Sequence, residues 1–473
     1  MRRRSRLLPA VIGVLCAVTI TAGLVVAKQL PHRLLLWRPA TVASRRPAGA
    51  TPVLDPVTGS AGAPNGATAA GVSQAVAPVL SSPVFGQSLG VVVTNLATGQ
   101  VLYASNADAG FTPASTNKLA TAVAALKVLG PAARLTTKVV TGASSGSIVL
   151  VGGGDPTLTA GRLPATDYPQ PASLTELASQ TARALLARGE RTVQLSYDAS
   201  LYTGPGLGPG WPQSYVTSGN VSTITSLEVD QGRVTSAGTP EDDELSGGLR
   251  SADPAQQAAD VFAGYLATYG VTVRGAVQPA TAPAGATVVA SVQSPALSEM
   301  VQWMLEESNN VIAENLARQV AIATGQPASF SGAAAAVTSV LQGLGVTGTL
   351  QLYDGSGLSP NDRIAPMVLV QLIRLAATTP RLRSVLTGVP VEGFSGTLAP
   401  GGSLFGAGGG AGLGVVRAKT GNLNNVVALA GSAYAQNGQL LAFAVMADQV
   451  PNETTAATQM VDLADVLAGC GCR

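Results

Sequence analysis

The chain has 473 residues, 46% of them hydrophobic but only 11% charged, where soluble domains usually carry roughly a quarter. It holds one histidine, His32, and three cysteines, Cys16, Cys470 and Cys472; with His32 outside the folded part, a Ser-His-Asp triad, a Cys-His pair and a histidine-bound zinc are excluded, and acid–base chemistry falls to Lys, Asp, Glu or Tyr. The net charge of +2 divides unevenly: residues 1–50 carry nine basic and no acidic residues, and the remainder, 19 basic against 26 acidic, is no surface for nucleic acid.

In chain order, Arg2, Arg3, Arg4 and Arg6 make a basic segment over 1–6, and residues 7–27 are uncharged and mostly apolar. As a helix that run is long enough to cross a bilayer. Val25-Val26-Ala27 is also an acceptable cleavage site. Two readings therefore stand: a retained single-pass anchor in the cell membrane with an extracytoplasmic catalytic part, or a signal peptide whose removal leaves a secreted protein. Cys16 follows Leu15, where lipoprotein attachment sites carry a small residue, so lipidation is not expected. Residues 28–82 are rich in Pro, Ala and Gly without sustained periodicity and read as an extended linker that contains His32.

Residues 88–94 and 100–103, joined by Ala97-Thr98-Gly99, predict an antiparallel hairpin. Toward the other end, 426–434 and 440–446 flank Asn437-Gly438, a strong hairpin signal. Leu297, Met300, Val301, Met304 and Leu305 are spaced as one helix face, with Ser294-Pro295 read as its cap. Strands at both ends with helices between predict an α+β domain over 83–155 and 287–468. The intervening 156–286 is rich in Gly-Pro-Gly turns, with helical patterns near 174–187 and 258–269, and reads as an inserted region. Residues 469–473 form a tail in which Cys470 and Cys472, one residue apart, are expected to stay unlinked within the chain or to pair between molecules.

Five lysines stand against 23 arginines, so a lysine here marks a place where charge alone is not the requirement. Ser115 and Lys118 lie three apart at the start of an alanine-rich, nearly all-apolar helix, which puts both on one face. Burial of that helix disfavours the ammonium form, so Lys118 can act as a base, as arginine cannot, and activate Ser115 as a nucleophile. Ser-x-x-Lys alone is a weak motif. Lys419-Thr420-Gly421, after a predicted strand, is a stronger companion. A third element, Ser-x-Asn, occurs four times, and Ser308-Asn309-Asn310 is the copy inside an amphipathic helical region. The glycine-rich 401–414 lacks the Gly-Lys-Ser/Thr ending of a phosphate loop and reads as a flexible connection. Asp155 and Asp354 are read as turn residues, and Glu314 as part of a solvated helix face. No metal site or cofactor is expected.

Ser-x-x-Lys, Ser-x-Asn and Lys-Thr-Gly in that order are the signature of penicillin-binding proteins and class A β-lactamases. The chain resembles the type-4 penicillin-binding proteins, the S13 family of D-alanyl-D-alanine carboxypeptidases and endopeptidases, over roughly 83–468. The likeness includes Gly152-Gly-Gly-Asp-Pro-Thr-Leu, Glu307-Ser-Asn-Asn-Val-Ile-Ala-Glu, Asp354-Gly-Ser-Gly-Leu-Ser, Gly396-Thr-Leu and Val416-Arg-Ala-Lys-Thr-Gly. The long interval from Ser115 to Ser308 also resembles that family rather than β-lactamases. The resemblance implies a penicillin-binding/β-lactamase-like transpeptidase fold, an antiparallel sheet with flanking helices carrying a large insertion. It implies Ser115 as the acylated nucleophile, Lys118 as its proton acceptor, and Ser308 as proton relay to the departing D-alanine. Asn310 would orient the substrate amide, and Lys419 and Thr420 would receive the terminal carboxylate. The strand holding Gly421 would pair with extended substrate, and the backbone N–H groups of Ser115 and Asn422 would bind the oxyanion. Asn309 and Asn422 stand where Asp and Ser or Thr are usual. Peptidoglycan stem peptides are the implied substrates, β-lactam antibiotics the covalent inhibitors, and the membrane a partner through the N-terminal segment. The rival readings are a β-lactamase-like hydrolase and a non-catalytic wall-binding module of the same fold.

Overall fold

The computed structural model describes residues 66–234, 248–406 and 409–472. The basic segment, the apolar run 7–27, Cys16 and His32 lie outside them. Among the described residues no helix is long and apolar enough to cross a membrane.

The strands are β1 (Ser88–Asn95), β2 (Val101–Ser105), β3 (Thr136–Thr141), β4 (Ser147–Val151), β5 (Thr192–Asp198), β6 (Thr272–Val273), β7 (Gln278–Pro279), β8 (Val288–Gln293), β9 (Leu350–Gln351), β10 (Arg363–Ile364), β11 (Val416–Leu423), β12 (Val426–Tyr434) and β13 (Leu440–Asp448). The longer helices are α1 (Ala69–Leu80), α2 (Lys118–Val128), α3 (Leu174–Ala187), α4 (Pro254–Thr268), α5 (Leu297–Glu306), α6 (Asn310–Ala323), α7 (Phe330–Gly343), α8 (Pro366–Thr378) and α9 (Glu453–Gly469).

One sheet has the order β11-β12-β13-β1-β2, antiparallel throughout. Both hairpins expected from the sequence are in it. The sheet is covered on both faces, which is why β12 and β13 read as continuous apolar runs rather than alternating ones. Val92, Ala428, Ala430, Ala444 and Met446 pack with α2, α5, α6, α7 and α8; Val91, Val93, Leu429, Phe443 and Val445 pack with α1 and α9. Helix α2 lies inside the first of these layers and buries Lys118 through Leu126. Its all-round apolar sequence is that of a core helix.

Four expectations are corrected. Part of the supposed linker is α1: Thr68 caps it by accepting from Gly71 N–H, and Val72 and Val76, one turn apart, are fully buried against the second core. The tail is not loose. Cys470 and Cys472 form a disulfide within the chain, their Cα atoms 5.0 Å apart, inside the usual span for a bridge; both are buried, and Thr68 N–H donates to the Cys472 carbonyl at 2.7 Å. Sequence spacing alone hid that the N-terminal helix and α9 fold the tail between them.

The third correction concerns the insertion, which begins earlier and ends later than 156–286. β3 and β4 belong to a second sheet of order β6-β5-β4-β3-β8, with β7 also beside β5. Its β3–β4 and β3–β8 pairs are antiparallel, and β4–β5 and β5–β6 are parallel. α3 and α4 cover it through Leu177, Leu185, Phe262 and Leu266. Its strands span 136–293, so residues assigned to the first domain on local pattern pair instead with the insertion. Ser294 does not cap α5 either: Ala296 stands at the cap, with the Glu299 carboxylate accepting from its N–H at 2.6 Å. The Ser294 hydroxyl instead accepts from Leu135 N–H at 2.9 Å, fastening the chain as it leaves β8 to the chain as it enters the neighbouring β3.

Candidate active site

Ser115 sits in a 3-10 turn, Ala114–Asn117, that runs directly into α2. Ala114 has φ +46°, a conformation uncommon outside glycine that lifts the serine out of the preceding strand-like approach. Ser115 is half-buried while Lys118 is fully buried. Lys118 Nζ donates to Asn310 Oδ1 at 2.7 Å and to the Ser356 carbonyl at 2.9 Å, and lies 2.8 Å from Ser115 Oγ. A neutral amine has two N–H bonds and one lone pair. With both N–H bonds taken, the lone pair faces the serine hydroxyl.

Burial lowers the Lys118 pKa to about 7, against the pull of the Asp354 and Glu314 charges, which favour the ammonium. The amine is therefore poised near neutrality.

Ser308 occupies the junction of α5 and α6 with φ +58°. Asn309 Oδ1 accepts from Ile312 N–H and so caps α6, and its amide donates to Gln231 Oε1 at 2.9 Å. Asparagine serves as well as aspartate here because the side chain looks away from Lys118. Asn310 also donates to the Asn220 carbonyl at 2.8 Å, which locks its amide so that Oδ1 faces Lys118.

Lys419, fully buried on β11, donates to Ser308 Oγ and to the Thr420 carbonyl, both at 2.9 Å. Its pKa is held well below the ordinary lysine value by burial, then by the Lys118 charge, with Glu307 opposing. In its ammonium form, which a bound carboxylate would favour, these two donations leave the third N–H for an anion. Thr420 Oγ1 shares a 2.7 Å hydrogen bond with Thr397 Oγ1.

β11 is the edge of its sheet. Ala418 N–H donates outward to the Pro390 carbonyl and Val416 O accepts from Glu392, whereas Val415 O pairs with Tyr434 of β12. By the alternation of an antiparallel ladder, Thr420 and Asn422 also turn their backbone groups to the open edge. Asn422 is exposed. At Gly421 a Cβ would lie 2.8 Å from the Pro113 carbonyl and 3.1 Å from the amide nitrogens of Ser115 and Thr116. Glycine lets the strand close on the nucleophile's turn, next to the Ser115 N–H. Of the eight residues singled out in the sequence, Ser115, Lys118 and Asn310 are joined through the Lys118 amine, Ser308 and Thr420 through the Lys419 amine, and Gly421 packs on the turn of Ser115, while Asn422 follows it on β11, exposed.

The sequence reading missed the acidic floor. Glu314 is fully buried, not solvated; its carboxylate accepts from Gly355 N–H at 3.0 Å and Ser356 N–H at 2.7 Å. Burial, then the Asp354 charge, raises its pKa to about 7. Asp354 is more than a turn residue: it accepts from Gly357 and Ser359 N–H, each at 2.6 Å, and from Trp211 Nε1 at 2.8 Å. Asp362 is raised well above the carboxylate range by burial and by Asp354. Asp155, buried and accepting from Thr157, does behave as a turn residue. The insertion supplies Trp211, which bonds Asp354 and has no motif around it, and Asn220, which receives Asn310 and belongs to the Ser218–Asn220 copy of Ser-x-Asn that the sequence reading passed over as a turn. Among the described residues no group of His, Cys, Asp or Glu is arranged to hold a metal.

The sequence matches the D-Ala-D-Ala carboxypeptidase 3 (S13) family over 72–248 and 238–468. The chain belongs to that family. It is 37% identical to Carboxypeptidase DacB of Mycolicibacterium smegmatis over 431 residues, 90% of this chain and 89% of the relative. It is 30% identical to a D-alanyl-D-alanine carboxypeptidase of an Actinomadura species, covering 78% of this chain and 79% of that protein. Among solved structures, penicillin binding protein 4 (DacB) of Haemophilus influenzae superposes with a TM-score of 0.65 at 21% identity, covering 83% of this chain and 97% of that one; this likeness is one of fold. Membership of the family and that fold bear out the α+β, penicillin-binding-type architecture expected from the sequence.

Proposed function

We propose that this S13 family member is a serine-type D-alanyl-D-alanine carboxypeptidase, with endopeptidase action on crosslinked material, that works on peptidoglycan stem peptides through an acyl-enzyme at Ser115. The observation that carries the chemistry is that Lys118 Nζ lies 2.7, 2.9 and 2.8 Å from Asn310 Oδ1, the Ser356 carbonyl and Ser115 Oγ; when the amine is neutral and its two N–H bonds go to the first two, its lone pair is left for the serine.

As Ser115 Oγ attacks the carbonyl carbon of the penultimate D-alanine, its proton passes to Lys118 Nζ, and the carbonyl oxygen takes up negative charge between the Ser115 and Asn422 N–H groups. Ser308 Oγ already accepts from Lys419, so its own hydrogen is free to go to the departing amine while Lys118 passes the proton taken from Ser115 on to Ser308. The C–N bond breaks, D-alanine leaves, and water, deprotonated by Lys118, hydrolyses the ester. The terminal carboxylate is held by Lys419 and Thr420, and a β-lactam enters by the same attack to leave a long-lived Ser115 ester. Residues 1–27, basic then apolar, support attachment to the cell membrane or export through it, with the catalytic part outside the cytoplasm.

Release of D-alanine from a peptide ending in D-Ala-D-Ala, and of monomers from crosslinked muropeptides, tests this reading. Both are expected from the wild type and lost in Ser115→Ala; release by Ser115→Ala at the wild-type rate refutes it.

A further inference from the structure

The loop 354–359 joins the acidic floor to the general base. Three consecutive carbonyls are taken from the α2 side: Asp354 O by Asn117 Nδ2 at 3.1 Å, Gly355 O by Thr121 Oγ1 at 2.6 Å, and Ser356 O by Lys118 Nζ at 2.9 Å. The amides on its other side go to buried carboxylates. Glu314 takes Gly355 and Ser356, and Asp354 takes Gly357 and Ser359. One peptide unit therefore carries Lys118 on its oxygen, at Ser356, and Asp354 on its nitrogen, at Gly357. Such a unit transmits the carboxylate's polarisation to the carbonyl that holds the amine. The loop also packs tightly on the nucleophile's turn: a Cβ at Gly357, where φ is +85°, would overlap the Ala114 carbonyl.

We propose that Asp354 and Glu314 are positioning residues for the general base, acting through the 355–357 backbone to fix the Lys118 amine on Ser115 and to set the pH at which it becomes free to accept a proton. The arrangement is that of a nucleophile and a base with a third group orienting the base, the third group here being a carboxylate pair joined to it by a peptide. The charged groups that act on Lys118 are Glu314 on α6 and Asp354 on the loop, with Lys419 on β11 feeling the Lys118 charge in turn; behind them Arg318, one turn further along α6, acts on Glu314, and Asp362, beyond the loop, feels the Asp354 and Glu314 charges. Asp354 and Glu314 favour the ammonium against burial. Without one of them the neutral amine prevails to lower pH, but its aim is looser.

This inference rests on Ser115 acylation, so the test begins with the full-length wild type, whose rate of labelling by a fluorescent penicillin is measured from pH 5 to 9 beside Asp354→Asn and Glu314→Gln, with melting curves to verify folding. In either folded variant the acid limb is expected lower than in the wild type, by about one pH unit in Asp354→Asn and by less in Glu314→Gln, whose carboxyl is itself half-protonated near pH 7, with the plateau rate reduced about tenfold or more. Glu314→Asp keeps the charge but falls short of the amides, so it should be slower with its limb in place. A limb unmoved or raised in the folded neutral variants, or Glu314→Asp labelling at the wild-type rate, overturns the proposal. Absence of labelling in the wild type contradicts the acyl-enzyme reading instead.

Discussion

The two ends of the cleft each bury a lysine, yet they surround it differently. Lys118 is fastened by a side-chain amide and a backbone carbonyl, above two buried carboxylates. Lys419 has a hydroxyl and its neighbour's carbonyl, with Lys118 and Glu307 as its charged surroundings. In the first, the donors are spent and a lone pair remains. In the second, an N–H remains and faces an open strand edge. The same side chain becomes a base at one end and an anion receptor at the other because of what saturates it.

The largest effect that could break this contrast is Lys118→Arg, which keeps the charge and cannot surrender a proton. Penicillin acylation and peptide hydrolysis should fall by about a thousandfold; a loss below about tenfold would remove the base from Lys118. Next comes Lys419→Met. Its kcat/KM for a peptide with a free terminal carboxylate should fall by about a hundredfold, the worth of one charged hydrogen bond, and far less for the C-terminally amidated peptide. Equal losses on both would mean that Lys419 does not read the carboxylate.

Gly421→Val tests the closeness of the two ends. Its side chain meets the Pro113 carbonyl and the Ser115 amide, so acylation should drop by about tenfold or more as β11 is pushed off the nucleophile's turn. Wild-type acylation would place the oxyanion donors elsewhere. The smallest effect belongs to a site remote from both lysines. Val76→Ala on α1 should cost about 1–2 kcal/mol in chemical denaturation and leave the kinetics unchanged; a kinetic change would mean that α1 reaches the cleft.

Much of the site was legible because lysine is so rare in this chain that Lys118 and Lys419 stood out, each beside residues that complete a motif. The hairpins were legible from turn chemistry, and α5 from its apolar spacing. What could not be read depended on distant partners. Glu314 looks like any polar residue on a helix until the loop 354–359, forty positions on, covers it. α1 offers only Val72 and Val76 as a signal, and their partner is α9 at the far end of the chain. β3 and β4 look like continuations of the first sheet because a strand's pattern does not name its neighbour. Trp211 and Asn220 reach the cleft only because the insertion folds back over it.

The central claim is that a lysine made neutral near physiological pH activates Ser115. Its most direct test is the rate of Ser115 acylation by penicillin as a function of pH, with the adduct located by peptide mass. The account predicts an ester on Ser115 whose rate of formation rises to half its maximum near pH 7, following Lys118. A half-maximum near pH 10, where an ordinary lysine titrates, or an adduct on another residue, would contradict it.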